Sequence, residues 1–237
     1  MELPDITAQS LPLYIQISEL LTREIAAGHW HVGERLPSES ALATKLKVAV
    51  GTLRKALTEL ETRGLLARKH GSGTYVAHPV ISTTNAKSVY EFFRLELVNG
   101  GGLPTALSLN LELASCPKAA LAFANDTDCY RLRRIRYLNN MPAALEEIYF
   151  DAGKNKALAL SDLSEALYLF YQERLHFWIA RVEDHVGLGS VPDWSQSGAG
   201  TPCPLIERRA YSSDNVLREY SRTWINSDKA RYVNRIK

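Results

Sequence analysis

Two groups of basic residues in this 237-residue chain have the type and spacing to hold anions. In the first, Arg35 precedes Leu36-Pro37-Ser38-Glu39, Arg54 follows further on, and Arg68-Lys69-His70 leads into Gly71-Ser72-Gly73. An arginine fork can bond bidentately to guanine O6 and N7, a pairing worth about 1–3 kcal/mol of discrimination between bases. Ser38 and Thr52 stand where helix N-termini are expected, so their hydroxyls and the free backbone N–H groups can meet phosphate oxygens. Glycines such as Gly71 and Gly73 let backbone N–H groups approach a phosphate closely. The second group is Arg131, Arg133, Arg134 and Arg136. Strand side chains alternate, so Arg134 and Arg136 share one face while Arg131 and Arg133 share the other. Paired guanidiniums suit a phosphate or a carboxylate.

The elements that must position the first group can be read from periodicity. After Pro12, Leu13, Ile17, Leu20, Leu21 and Ile25 recur at three- and four-residue spacings, which predicts a helix running to Ala27 with Gly28 as terminator. Ser38 reads as the N-cap of a second helix that continues to about Lys45 and buries Leu42 and Leu46. A third spans 51–63, burying Leu53, Leu57 and Leu60, and Gly64 closes it. Leu65 to Lys69 and Gly73 to Ala77 are strand-like runs around His70-Gly71-Ser72, a hairpin with a glycine-rich tip. Two helices on a short link followed by a hairpin make a winged helix-turn-helix.

Charge supports an anionic partner for this segment. The chain totals 28 Lys+Arg against 26 Asp+Glu, a net of +2. The average conceals an acidic stretch over 1–32 and a basic block over 33–78, where eight Lys/Arg face four Glu. Patches matter more than totals for nucleic-acid binding.

These residues carry a resemblance. Pro12-Leu13-Tyr14, Gly33, Leu36-Pro37-Ser38-Glu39, Leu42-Ala43, Thr52, Arg54, Ala56-Leu57, Leu60, Gly64-Leu65 and Gly71-Ser72-Gly73-Thr74 resemble the winged helix-turn-helix of the GntR family of bacterial transcription regulators. The resemblance implies double-stranded DNA as partner, with Arg35 and Arg54 in the major groove. It places Gly71, Gly73 and Lys69 along the minor groove or its backbone, with His70 lining the approach to the tip. Glu39 either contacts cytosine N4 or caps and braces its own helix. Arg63 and Lys55 read as phosphate-facing or plain surface residues. One departure stands out: Ala49-Val50 occupy positions where the family usually has Ser-Arg, so a helix cap and a common DNA contact are absent.

Residues 79–88, with His78-Pro79 before a Ser/Thr/Asn stretch, read as a linker between a DNA-binding domain over 11–78 and a second domain over 89–237. Val89 to Val98 reads as a short helix or strand. Leu107, Leu109, Leu111 and Leu113 occupy alternate positions, the pattern of a half-buried strand. A short helix is expected over 117–124, strands over 129–138 and 144–150 around Asn139 to Pro142, a helix over 162–173, and a strand over 176–187. A final antiparallel pair covers 205–211 and 217–225. This is an α+β arrangement on an antiparallel sheet. Its order, with Arg131 to Arg136, Pro142, Glu146, Gly200-Thr201-Pro202, Ile206-Glu207-Arg208, Glu219-Tyr220-Ser221 and Asp228, resembles the UTRA domain of the HutC-like branch, whose fold is that of chorismate lyase.

That resemblance implies a small anionic effector, such as a sugar phosphate or carboxylic acid, and a homodimer, usually a repressor, reading a pseudo-palindromic operator. It points to Arg134 and Arg136 with Glu146 and Glu219 facing them. These groups either contact the ligand or form an internal salt-bridge network. Tyr232, Tyr149, Tyr220 and Arg222 are further pocket candidates. A chorismate-lyase-like enzyme is the rival reading, and a DNA-binding protein without effector another. The chain has no nucleotide loop, metal-ligand cluster or nucleophile elbow, so no enzyme activity and no cofactor or metal are expected.

The bulk composition agrees. At 46% apolar and 23% charged the chain can build ordinary cores. No apolar run reaches the roughly 18 residues a membrane helix needs, and the acidic start lacks a leader's basic cluster. Cys116, Cys129 and Cys203 read as buried small residues of a cytoplasmic protein, with no disulfide framework.

Overall fold

The computed structural model describes residues 11–26, 29–77, 92–120, 128–151, 157–195 and 198–235. The chain divides into two compact units, essentially 11–93 and 94–233. The expected linker at 79–88 lies outside the described residues.

In the first unit, α1 (Leu13–Ala26), α2 (Glu39–Leu46) and α3 (Val50–Thr62) precede a hairpin of β1 (Leu66–Lys69) and β2 (Gly73–Val76). Ile17, Leu20 and Leu21 of α1, Leu42 and Ala43 of α2, and Leu53, Ala56, Leu57 and Leu60 of α3 are buried together. Ser38 caps α2, its hydroxyl accepting from Ala41 N–H at 3.2 Å. Lys47, in the left-handed conformation, ends that helix and donates to Ala43 and Thr44 carbonyls. Ala49 is the N-cap of α3, and no side chain there bonds the free N–H groups.

The stretch before α2 extends the wing. Leu36 N–H donates to Thr74 carbonyl at 2.9 Å, and Gly33 and Val76 bond across the same seam. Arg63 is not a surface residue as the sequence led us to expect. Its Nη1 lies 2.6 Å from Glu19 Oε1, with side chains only 11% and 2% exposed. The end of α3 is thereby tied to α1 by a buried ion pair.

The second unit is a six-stranded antiparallel sheet in the order β4-β5-β6-β9-β8-β7. Its strands are β4 (Pro104–Ser115), β5 (Asp128–Leu138), β6 (Met141–Phe150), β7 (Ile179–Ser190), β8 (Pro202–Ser212) and β9 (Leu217–Ile225), with α4 (Leu167–Arg174) between β6 and β7. A separate pair joins β3 (Leu95–Leu97) to β10 (Ala230–Tyr232), which lies beyond the pair expected to be final. Asn139 and Asn140, both at positive φ, form the two-residue turn between β5 and β6. One face of the sheet is covered: Leu132, Leu138, Ile148 and Phe150 are buried, and Phe170 and Tyr171 of α4 pack against Phe150.

Several expectations change. The four alternating leucines do not share a face, because the β4–β5 register shifts between Ser108 and Asn110. A one-residue bulge flips every later side chain. Leu107 pairs with Ile135 and Leu111 with Leu132, which lie on opposite faces, and Leu109 and Leu113 are exposed. The helix expected over 162–173 begins only at Leu167. Leu163, Glu165 and Ala166 are buried in a non-helical segment whose Glu165 carboxylate accepts from Ala106 N–H of β4, so packing overrides helix propensity. The strand expected over 176–187 runs from Ile179 to Ser190, since His176 sits at φ 60. Of 117–124 the structure describes a 3₁₀ turn at Lys118–Ala120, and residues 121–124 lie outside the described residues. Cys116 and Cys129 are joined as a disulfide: the pairing of β4 with β5 brings their Cα atoms to 5.5 Å, a separation that sequence distance alone does not reveal. Cys203 is a free buried thiol, pushed up in pKa by burial.

The bare cap at Ala49 makes a direct prediction. Ala49→Ser supplies the missing acceptor in a backbone conformation already suited to it and should stabilise the protein by about 1 kcal/mol in denaturant unfolding. Unchanged stability would mean that solvent already satisfies the first turn of α3.

Candidate DNA-binding surface and ligand-binding face

On the winged unit the residues singled out in sequence gather into two groups. Arg54 lies on the exposed side of α3, and its Nε donates to Glu39 Oε2 at 2.5 Å. Glu39 thus braces a residue of the neighbouring helix, a partner the sequence reading did not identify. Arg68 of β1 stands 4.0 Å from Glu39 and 3.4 Å from Glu61. The second group is on the wing. Arg35 pairs with Tyr75, and its guanidinium crosses Gly73, where an added Cβ would come within 2.7 Å of Nε. Gly73 also has φ +126, so no other residue fits without strain. Lys69 Nζ lies 4.6 Å from the centre of the Tyr75 ring, whose hydroxyl meets Ser72 Oγ at 2.7 Å. His70 and Gly71 occupy the exposed tip, Thr52 lies in the first turn of α3, and Ser38 spends its hydroxyl on the α2 cap.

On the sheet unit, strand parity puts Arg134, Arg136, Glu146 and Glu219 on the covered face, all buried. Arg134 Nε donates to Glu146 Oε2 at 2.5 Å, and Arg136 Nη2 donates to the same oxygen at 3.0 Å. One carboxylate therefore serves two guanidiniums. Arg134 Nη1 also donates to the Glu165 carbonyl at 3.2 Å. Glu219 accepts from Tyr171 Oη at 2.7 Å. Tyr232 of β10 donates to Asp184 Oδ2 at 2.7 Å, and Asp184 receives both arms of the Arg208 fork at 2.6 and 2.7 Å.

Asp184, Arg208, Tyr168 and Tyr171 are members of this face that sequence reasoning passed over. For Asp184 and Arg208 the signal was charge at inward strand positions; Tyr168 and Tyr171 come from α4. Asp184 pairs with Arg208 in register, so both fall on the side of Arg134 once the β7–β8–β9–β6 pairing is known. That pairing cannot be read from one strand alone.

The electrostatics follow from burial and pairing. Burial pushes the Glu146 carboxyl up, but Arg134 and Arg136 outweigh it and hold the group at about 2. Asp184 is likewise lowered: burial raises it, while the Arg208 fork and the Tyr232 hydroxyl pull it further down. Glu219 goes the other way, raised by burial that Tyr171, Arg134 and Arg208 only partly offset. Tyr171 is raised by burial and by the neighbouring Glu219.

The opposite face carries Arg131, Arg133, Tyr149, Tyr220 and Arg222. Arg133 donates to Glu147 at 2.9 Å and Arg131 to Glu112 at 2.5 Å, so these candidates are not gathered around the Arg134–Arg136 pair. A cavity of about 370 Å³ involves residues of this face, Ile135, Leu145 and Trp224, together with Thr201 and Asp228. Among the described residues no arginine lines it.

A winged helix carrying exposed arginines, in one chain with a sheet domain whose buried face is built of arginines and carboxylates, defines a DNA-binding transcriptional regulator with a sensor domain. Comparisons with known proteins agree. Residues 13–76 match the family of bacterial regulatory proteins known as gntR, and residues 114–231 match the UTRA domain. The chain is 44% identical over 235 residues to the HTH-type transcriptional regulator SmoD of Agrobacterium fabrum, spanning 98% of this chain and 99% of that protein. It is 27% identical to the Escherichia coli mannosyl-D-glycerate transport/metabolism system repressor MngR, spanning 94% and 95%. The crystal structure of YydK from Bacillus subtilis, described as a possible transcriptional regulator, superposes with a TM-score of 0.52 at 22% identity, covering 96% of this chain and all of that one. The chain belongs to the GntR family of bacterial transcription regulators, with the UTRA domain of its HutC-like branch. Among the described residues no helix is long and apolar enough to cross a membrane, and no group of three or more His, Cys, Asp or Glu side chains is arranged to hold a metal.

The shared carboxylate predicts a stability effect. Glu146→Gln removes the carboxylate that two buried guanidiniums share and should cost about 3–5 kcal/mol in urea unfolding at pH 7. Because the folded pKa is depressed, the Glu146 contribution is complete above its unfolded value near 4.5 and is lost as pH falls through about 2. The two proteins should therefore converge in stability towards pH 2. Equal stability at pH 7 would show that the pair is solvated.

Proposed function

We propose that this regulator is a homodimeric repressor whose hold on a pseudo-palindromic operator is modulated by a small anionic metabolite bound at Arg134 and Arg136. The observation that carries the effector reading is a pair of buried guanidiniums, Arg134 and Arg136, set on one strand face and both reaching the Glu146 carboxylate. An arginine fork is the fitting donor for an incoming phosphate or carboxylate. Glu146, Glu219 and Tyr232 then accept from or donate to the hydroxyls or amines of the same ligand. MngR is named for a system handling mannosyl-D-glycerate, a glycosylated carboxylate, which supports an effector of sugar-acid or sugar-phosphate type.

For DNA, Arg35 and Arg54 read base edges in the major groove. Ser38 and Thr52 meet phosphates at helix starts, and Lys69, His70, Gly71 and Gly73 follow the minor groove or its backbone. In this reading residues 11–78 form the DNA-reading domain, 79–88 the linker, and 89–237 the sensing and dimerising domain. A two-fold dimer presents two such domains to two half-sites. Effector and operator affinities must then alter each other by the same factor.

Two measurements test the proposal. Arg54→Ala should weaken binding to a selected operator by about 1–3 kcal/mol more than it weakens binding to random duplex DNA. Equal losses would reduce Arg54 to a phosphate contact. In a thermal-shift screen of sugar phosphates and sugar acids, the metabolite that stabilises the native protein should give no shift with Arg136→Ala, while operator binding survives. A shift retained in that variant but lost in Trp224→Ala would move the effector to the cavity beside Leu145.

A further inference from the structure

The free edge of Arg54 is decided by Glu39. Its Nε–H is taken by Glu39 Oε2 at 2.5 Å, and its two terminal nitrogens have no partner among the described residues. Arg54 is 64% exposed, whereas Glu39 is 30% exposed and lies near a second cation, Arg68. A long arginine free in solution must be ordered when it binds; one held by its Nε is ordered beforehand, with both terminal N–H groups presented at the tip. Those two groups are the pair that guanine O6 and N7 accept from.

We propose that Glu39 is a positioning residue for base readout, holding Arg54 in an end-on geometry and making no base contact itself. The inference rests on the reading that Arg54 contacts a base. It also assigns the carboxylate a cost: placed among groups that meet phosphates, its negative charge weakens sequence-independent binding. Specificity and general affinity should therefore move in opposite directions when the charge is removed, a signature that a merely structural role would not produce.

The test selects bound sequences from random duplex DNA with the full-length protein and with Arg54→Ala, Glu39→Gln and Glu39→Asp, each checked for an unchanged melting profile. Arg54→Ala should flatten one base-pair column by roughly 5- to 150-fold. Glu39→Gln should flatten the same column while tightening binding to unselected DNA. Glu39→Asp keeps the charge but falls one methylene short, so it should flatten that column without the gain on unselected DNA. Flattening of a different column would make Glu39 a direct base contact, and a sharper Arg54 column would make it a mask over Arg54; either overturns the proposal. So does an Arg54 column that neither glutamate variant alters. If Arg54→Ala itself changes no column, the base-reading role of Arg54 fails and the positioning role falls with it.

Discussion

Arg134, Arg136 and Arg208 point into the covered face of a six-stranded sheet, where a guanidinium removed from water needs carboxylates close at hand. Much of the arrangement of the second unit answers that requirement. Glu146 stands across from Arg134 on the neighbouring strand, Asp184 across from Arg208, and Tyr232 on the separate small sheet completes the Asp184 cluster. Each strand must keep its register for these partners to meet, because a slip of one residue would send every charge to the other face. The buried charges therefore demand a particular pairing as strictly as the apolar residues around them do.

The charges of this face fall into two groups. Arg134 and Arg136 both reach the Glu146 carboxylate, while at Arg208 the Asp184 carboxylate takes both arms of the fork. Glu219, raised in pKa by burial and held by Tyr171, adds a carboxyl group that is the least willing of the set to carry charge. The cavity against Leu145 and Trp224 has a different chemistry, with apolar walls, hydroxyls and one carboxylate from Asp228.

On the winged unit the organising contacts are fewer. Arg63 with Glu19 binds α3 to α1 in the core, while Arg54 with Glu39 binds α3 to α2 at the surface. The first is shielded and structural; the second is exposed and leaves one edge of its arginine available. Arg35 is set by the wing itself, since the glycine at position 73 gives its guanidinium room to cross the hairpin.

Local periodicity was enough to recover the three helices, the Ser38 cap, the glycine-rich wing and the common face of Arg134 and Arg136, while the bare cap at Ala49 came from the family resemblance. Those features depend on contacts within a few residues, or on the two-residue repeat of a strand, and both are written along the chain. The bulge in β4, the late start of α4, the Cys116–Cys129 bridge, the Asp184–Arg208–Tyr232 cluster and the partners of Arg63 and Glu39 were not legible in that way. Each depends on which strand or helix lies alongside which, and in what register. The sequence by itself determined the kinds of element and the chemistry they carry. Tertiary structure alone decided which charges meet, because opposite partners are chosen by packing across the sheet and between helices, where separation along the chain has no bearing.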